Sequence, residues 1–175
     1  MKPVVIGVLF RRHKGGVQIL TQLRLVQNKS YDPLYDRTWE AMGETLNPGE
    51  SVIDALVRGV KEECGRTDFV PNRIIGADGK VLWSTSKGDN VLACEPLCFL
   101  QSLGPPQPWF GPAFAVEVAE DFEPDHSKSD GEAEAPKWWG AKEMLDAIQR
   151  DPSQFMGLHM PALEKFCLAV LDGKF

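Results

Sequence analysis

Glu62 and Glu63 stand at the end of a stretch that reads as a helix, one turn past Arg58 and just before Gly65. Carboxylates at a helix C-terminus oppose the macrodipole, so helix formation alone does not select them there. Positions 59, 62 and 63 lie at i, i+3 and i+4 and share one helix face. Carboxylates gathered on such a face repel one another unless a divalent cation joins them. Position 59 is Gly, so the face carries one carboxylate fewer than it could. The plain alternative for Glu62 and Glu63 is a solvated helix end. For Glu50, at the start of the same stretch, it is a first-turn carboxylate that favours the helix dipole.

The element that must position these groups is a helix over Ser51–Cys64. Ile53, Leu56, Val57, Val60 and Cys64 repeat at i, i+3, i+4, i+7 and i+11 and make one apolar face. Asp54, Arg58, Lys61 and Glu62 lie off that stripe. Pro48-Gly49 is a turn signal ahead of it, and Gly65 is placed as a C-terminal cap. Gly59, inside the helix, costs ~1 kcal/mol relative to Ala. Upstream, Pro3–Phe10 reads as a buried strand. Lys14-Gly15-Gly16 is a turn, and Val17–Leu25 is a second strand with period-2 alternation. A polar loop over Gln27–Thr38 leads to a short strand, Trp39–Met42.

Downstream, Arg73–Ser84 and Val91–Ser102 read as strands around the turn cluster Thr85–Asn90. A proline-rich loop, Gly104–Pro108, precedes a strand over Trp109–Val118. Glu120–Pro136 holds seven carboxylates against Lys128 and reads as an exposed loop. Trp138-Trp139 opens a last strand or turn. Helices follow over Ala141–Gln149 and Pro161–Leu171. The elements do not alternate as in a doubly wound fold, and by themselves they give a mixed α/β chain forming one domain over 1–175.

From Gly43 to Gly65 the chain reads GETLNPGESVIDALVRGVKEECG. This resembles the Nudix box, the loop-helix-loop signature of the Nudix pyrophosphohydrolases. Glu50, Arg58, Val60, Glu62, Glu63 and Gly65 fall in register. Two positions depart: the box Gly falls on Glu44, with Gly43 one place early, and the Glu that follows the Arg is Gly59. The resemblance implies an α/β/α sandwich with a mixed β-sheet and a box helix beside it. It implies that Glu62 and Glu63 hold magnesium or manganese against a diphosphate, with Glu50 assisting. It implies that Arg58 pairs with a box Glu, Glu50 being the candidate, and fixes the loop on the helix. A further carboxylate is expected from the loop before the Trp138 strand, with Glu132 first and Glu134 behind it.

The implied reaction is metal-dependent hydrolysis of a diphosphate linkage in a small nucleoside diphosphate derivative. The competing class is a Nudix-fold binding or regulatory module without turnover, which Gly59 favours. A third class is an interaction protein using the acidic loop. Glu44 either replaces the ligand missing at 59 or points into solvent, and the second outcome is expected. On that expectation Gly59→Glu restores the third carboxylate, and Glu44→Gly is neutral or relieves a strained turn.

Arg11, Arg12, Arg24 and Lys29 lie where a phosphate or base could dock, and Trp83, Trp109, Phe110, Trp138 and Trp139 offer stacking surfaces. Surface charge and core packing are the ordinary readings of these residues, and at most one or two of the aromatics are expected to touch a ligand. The formal net charge of −6 argues against a nucleic-acid polymer or an anionic membrane as partner. No apolar run is long enough to span a bilayer, and the first residues read as a strand rather than a secretory signal. Cys64, Cys94, Cys98 and Cys167 form no pair of CxxC units and read as free thiols of a cytoplasmic protein. The oligomeric state is left open, a homodimer being one option.

Overall fold

The computed structural model describes residues 1–25, 35–77, 95–104 and 108–175. The expectations placed on Lys29, Trp83, Cys94 and the turn cluster 85–90 lie outside the described residues. Within them, the strands are β1 (Lys2–His13), β2 (Gly16–Arg24), β3 (Trp39–Glu40), β4 (Met42–Thr45), β5 (Arg73–Ile75), β6 (Cys98–Ser102), β7 (Trp109–Glu117) and β8 (Ala133–Gly140). The helices are α1 (Val52–Glu63), α2 (Ala141–Arg150) and α3 (Met160–Leu171).

β1 is the axis of a mixed sheet. One of its edges pairs in parallel with β7 from Lys2 to Phe10. The other edge is divided: Val4–Gly7 pair with β4, and Phe10–His13 pair with β2. β2 and β1 therefore diverge, and the chain fills the fork. It enters along β2 as β3, with Gln22 opposite Glu40. It reverses at Ala41 and leaves along β1 as β4. β8 closes the far edge of β2, and β5 and β6 pair with β7.

Both faces of the sheet are covered, which is why the strand sequences are apolar on both sides. Val5, Leu9, Phe114 and Val116 face Ile53, Leu56 and Val60 of α1. Ile6, Val8, Phe10, Ala113 and Ala115 face Met144 and Ile148 of α2 and Leu163 and Phe166 of α3. The architecture is an α/β/α sandwich. Burial of each large aliphatic side chain of α1 is worth roughly 1.5–3 kcal/mol, enough to fix the helix against the sheet. Ser51 caps α1, its hydroxyl accepting from Asp54 N at 3.1 Å. No helix among the described residues is long and apolar enough to cross a membrane. Cys64, Cys98 and Cys167 are free thiols.

Three boundaries differ from the sequence reading. The strand expected over 73–84 ends at Ile75 among the described residues, with 76 and 77 outside it and 78–84 outside the described residues. The last strand begins at Ala133, not at Trp138, because its early residues pair with Leu23 and Arg24 across a bulge in β2. The acidic loop is exposed in part but anchored. Asp125 N donates to Cys64 O at 2.8 Å and Asp130 N to Glu62 O at 3.1 Å, so the loop binds the carbonyls left open at the end of α1. Gly65 makes this docking fit: its φ is +62°, and a Cβ there would lie 2.1 Å from Asp125 O.

Candidate active site

The carboxylates expected from the sequence fall into two groups around two arginines. Arg58 is the centre of the first. Its Nε donates to Glu50 Oε1 at 2.9 Å, and its Nη2 to Glu50 Oε2 at 3.0 Å and Thr45 O at 2.7 Å. Glu50 Oε2 also accepts from Asn47 N at 2.9 Å. The bidentate pair ties the turn before α1 to the middle of the helix. Arg58 and the Asn47 amide hold the Glu50 carboxyl down at about 2. The remaining nitrogen, Nη1, is shared by Glu44 Oε2 at 3.0 Å and Glu62 Oε2 at 3.3 Å. The Glu62 side chain is half exposed.

Glu63, the next residue, turns inward toward Gln22 of β2, into the fork between β1 and β2. It is buried and accepts from Gln22 Nε2 at 2.7 Å. Burial pushes its carboxyl well above the usual range, and the charges of Glu40, Asp130 and Glu44 push it further, against Arg24. Glu40, at the apex of the fork, is buried and accepts from Arg24 Nη1 at 3.2 Å. Burial nevertheless outweighs Arg24 and, with Glu132 and Asp130, raises Glu40 to about 7. Burial likewise opposes the Arg24 charge, but Glu40, Glu132 and Glu63 more than offset it. Glu132 is exposed. Its backbone N–H donates to Asp130 Oδ1 at 3.0 Å, and its carbonyl accepts from Leu25 N at 2.7 Å.

Glu40, Gln22 and Asp130 are absent from the residues singled out by sequence. Their signal was faint: a Glu between Trp39 and Ala41 in an apolar strand, a Gln in an alternating strand, and one Asp among many acids.

Glu44 departs from the expectation that it points into solvent. Its side chain is only 16 % exposed. It pairs with Arg58, and its Oε1 accepts from Thr45 N at 2.6 Å. It lies in β4 opposite Val5, and its φ is not among the positive ones, so no strained turn exists for Glu44→Gly to relieve.

Beside Glu44 is a pocket of about 130 Å³, bordered by Arg24, Gly43, Trp109, Met156 and His159. Gly43 lets the His159 ring close in, since a Cβ at 43 would stand 3.1 Å from that ring. His159 is buried, its Nδ1 has no hydrogen-bond partner, and burial with the nearby Arg24 lowers its pKa to about 4. It is therefore neutral at pH 7. Of the other cations and aromatics considered, Arg11 stacks on Trp138 at 3.9 Å and pairs with Glu123. Arg12 pairs with Glu117. Trp139 is core, its Nε1 donating to Thr21 Oγ1 at 2.7 Å, and Phe110 packs on Phe99.

The donor set can be tested against a divalent cation. Among the described residues no three acidic, histidine or cysteine side chains converge as a ready-made ion cage. The chemistry nonetheless fits a hard cation. The groups around Glu63 are oxygens, the acids Glu40, Asp130 and Glu132 gather there against the one cation Arg24, and the buried Gln22 Oε1 has no hydrogen-bond partner.

Comparison with known proteins identifies the family and the fold. The model of the NUDIX domain matches residues 1–156. No curated protein sequence is matched. Among solved structures, the chain is similar to an Ap4A hydrolase from C. elegans in a binary complex, at TM-score 0.60 and 19% identity over 99% of each chain. It is similar to the NUDIX domain of NrtR from Shewanella oneidensis complexed with ADP ribose, at TM-score 0.57 and 19% identity, covering 94% of this chain and 85% of that one. A NUDIX hydrolase from Nitrosomonas europaea aligns at TM-score 0.60 and 18% identity, covering 97% and 90%. At such identities the likeness is one of fold.

Proposed function

We propose, from the premise that this chain belongs to the NUDIX domain family, that it is a pyrophosphohydrolase cleaving a diphosphate linkage in a small nucleoside diphosphate derivative with magnesium or manganese. The observation that carries the reading is Glu63. It is a buried carboxylate beside Glu40 and Asp130, next to an orphaned amide oxygen, and its charge is disfavoured until a cation arrives. Glu62 and Glu63 are the helix groups that would hold the ion, with Asp130 and Glu132 at the rim. When bound, such an ion neutralises diphosphate charge and lowers the pKa of a water.

The chain's own residues do the positioning. Gln22 orients Glu63 through its amide N–H. Arg58 and Glu50 form the clamp that holds the 43–50 turn on α1, and in this reading Glu50 acts through that clamp. The Arg24–Trp109–His159 pocket receives the nucleoside end. Arg24 offers charge to a phosphate, Trp109 an aromatic face, and His159 a neutral ring nitrogen for a hydrogen bond. Ap4A and ADP ribose, named with the two similar structures above, are first candidates because both contain a nucleoside linked through phosphates.

The test is a hydrolysis screen across nucleotide sugars, dinucleoside polyphosphates, ADP-ribose, NADH and modified nucleoside triphosphates, with magnesium and with manganese. Cation-dependent release of a nucleotide product supports the reading. Gly59 favours a second one, a module that binds such a ligand without turnover. Tight ligand binding with no product from any compound in the screen selects it.

A further inference from the structure

The two positions at which the box departs from its pattern touch each other in the fold. A Cβ at Gly59 would lie 3.0 Å from Glu44 Cβ, 3.3 Å from its Cγ and 3.4 Å from its Oε2. The Glu44 side chain thus lies across the notch that the missing side chain leaves on α1, and any larger residue at 59 would press on it. Its carboxylate does not stand alone. Glu44 Oε2 and Glu62 Oε2 meet the same nitrogen, Arg58 Nη1, so β4 delivers a carboxylate beside one that the helix supplies. Thr45 N fixes the other oxygen. Helix formation does not explain Gly59, which weakens the helix by ~1 kcal/mol, while Glu44, largely buried on its strand, is tolerated there because Arg58 and Thr45 N partner both of its oxygens.

We propose that Glu44 supplies, from β4, the carboxylate of the cation set that the helix lacks at position 59, and that Gly59 is the residue that admits it. The inference rests on the cation-dependent reading given above. It reverses the simple expectation for Gly59→Glu: with Glu44 in place, the new side chain has no room and does not complete the set.

The test is Mn2+ titration by calorimetry, with a melting curve for every variant. Glu44→Gln keeps the shape and an acceptor for Arg58 but removes the charge. It is expected to weaken Mn2+ binding at least about 5-fold while melting as a folded protein. Gly59→Glu is expected to bind no tighter than wild type and to melt lower. The double exchange, Glu44→Gly with Gly59→Glu, is expected to recover affinity to within about 3-fold of wild type, since it moves the same carboxylate back to the helix. Wild-type affinity in Glu44→Gln overturns the proposal. So does a folded double exchange that binds no better than Glu44→Gly alone. If the double exchange does not fold, Glu44→Gln decides by itself. Glu63→Gln separates the two readings. If wild type binds Mn2+, Glu63→Gln does not and Glu44→Gln does, only the role of Glu44 fails. If wild type binds none, both fail.

Discussion

Arg58 and Arg24 each face several carboxylates, yet the two neighbourhoods behave oppositely. Around Arg58 the geometry is saturated at Glu50: both oxygens are held, and the carboxyl sits at about 2. Around Arg24 the groups are buried and acids outnumber the cation, so Glu40 rises to about 7 and Glu63 well above its usual range. The same residue types thus make a clamp in one place and a site short of positive charge in the other. The lesson is that carboxylate spacing along α1 does not reveal function. What separates Glu50 from Glu63 is which strands the fold brings against each.

The comparison is broken most directly by removing charge on the Arg24 side. Glu63→Gln is expected to lower cation-dependent turnover more than about 100-fold, beyond the 10–100-fold typical of an outer partner. It is also expected to leave the cation-free protein at least as heat-stable as wild type, because a buried repelled charge disappears. Gln22→Ala, removing the group that orients Glu63, belongs in the 10–100-fold range. Steady-state rates and melting curves measured on the same preparations check both.

Removing charge on the Arg58 side reverses the balance. Arg58→Ala is expected to lower the melting temperature by several degrees, about 2–4 °C for each kcal/mol lost at this chain length. It frees Glu44, Glu50 and Glu62 to repel one another and leaves Thr45 O without its donor. Unchanged melting would mean that the clamp is ornamental.

The pH dependence of stability sharpens the contrast. Glu40 has a folded pKa of about 7 against an ordinary 4.5, so the folded chain binds more protons between those values. Cation-free stability therefore rises as pH falls from 7 toward 4.5, by up to roughly 3 kcal/mol. His159 acts the other way: at about 4 against 6.5, it costs stability as pH falls through that window. Glu63, raised well above its usual range, adds to the gain from Glu40, so cation-free wild type is expected to melt higher at pH 5 than at pH 7, and Glu40→Gln, which lacks part of that gain, to rise less. Parallel curves for the two proteins would contradict the assignment.

The smallest effect concerns the helix itself. Gly59→Ala should gain ~1 kcal/mol from helix propensity, but the new methyl meets Glu44 Cβ at 3.0 Å. The net change in chemical denaturation is expected to be near zero, and to become stabilising when Glu44 is Gly.

Much of this was legible because it is local. The α1 stripe and the cap at Gly65 lie within one turn-helix segment, where spacing along the chain is distance in space, and the Arg58–Glu50 pair in the same segment followed from the resemblance to the box. Glu40, Gln22 and Asp130 reach Glu63 only through the fork between β1 and β2 and through a loop docked from far along the chain. No spacing encodes such contacts. Glu44 shows the limit most plainly. Sequence marks it and Gly59 as two separate oddities, and only the packing of β4 on α1 makes them one.

The most direct test of the two-neighbourhood account is a calorimetric Mg2+ titration of wild type, Glu63→Gln and Glu50→Gln at one pH. The account predicts that Glu63→Gln loses binding while Glu50→Gln, though less heat-stable, keeps affinity within about 3-fold of wild type. Equal loss in both variants, or none in Glu63→Gln, would contradict it.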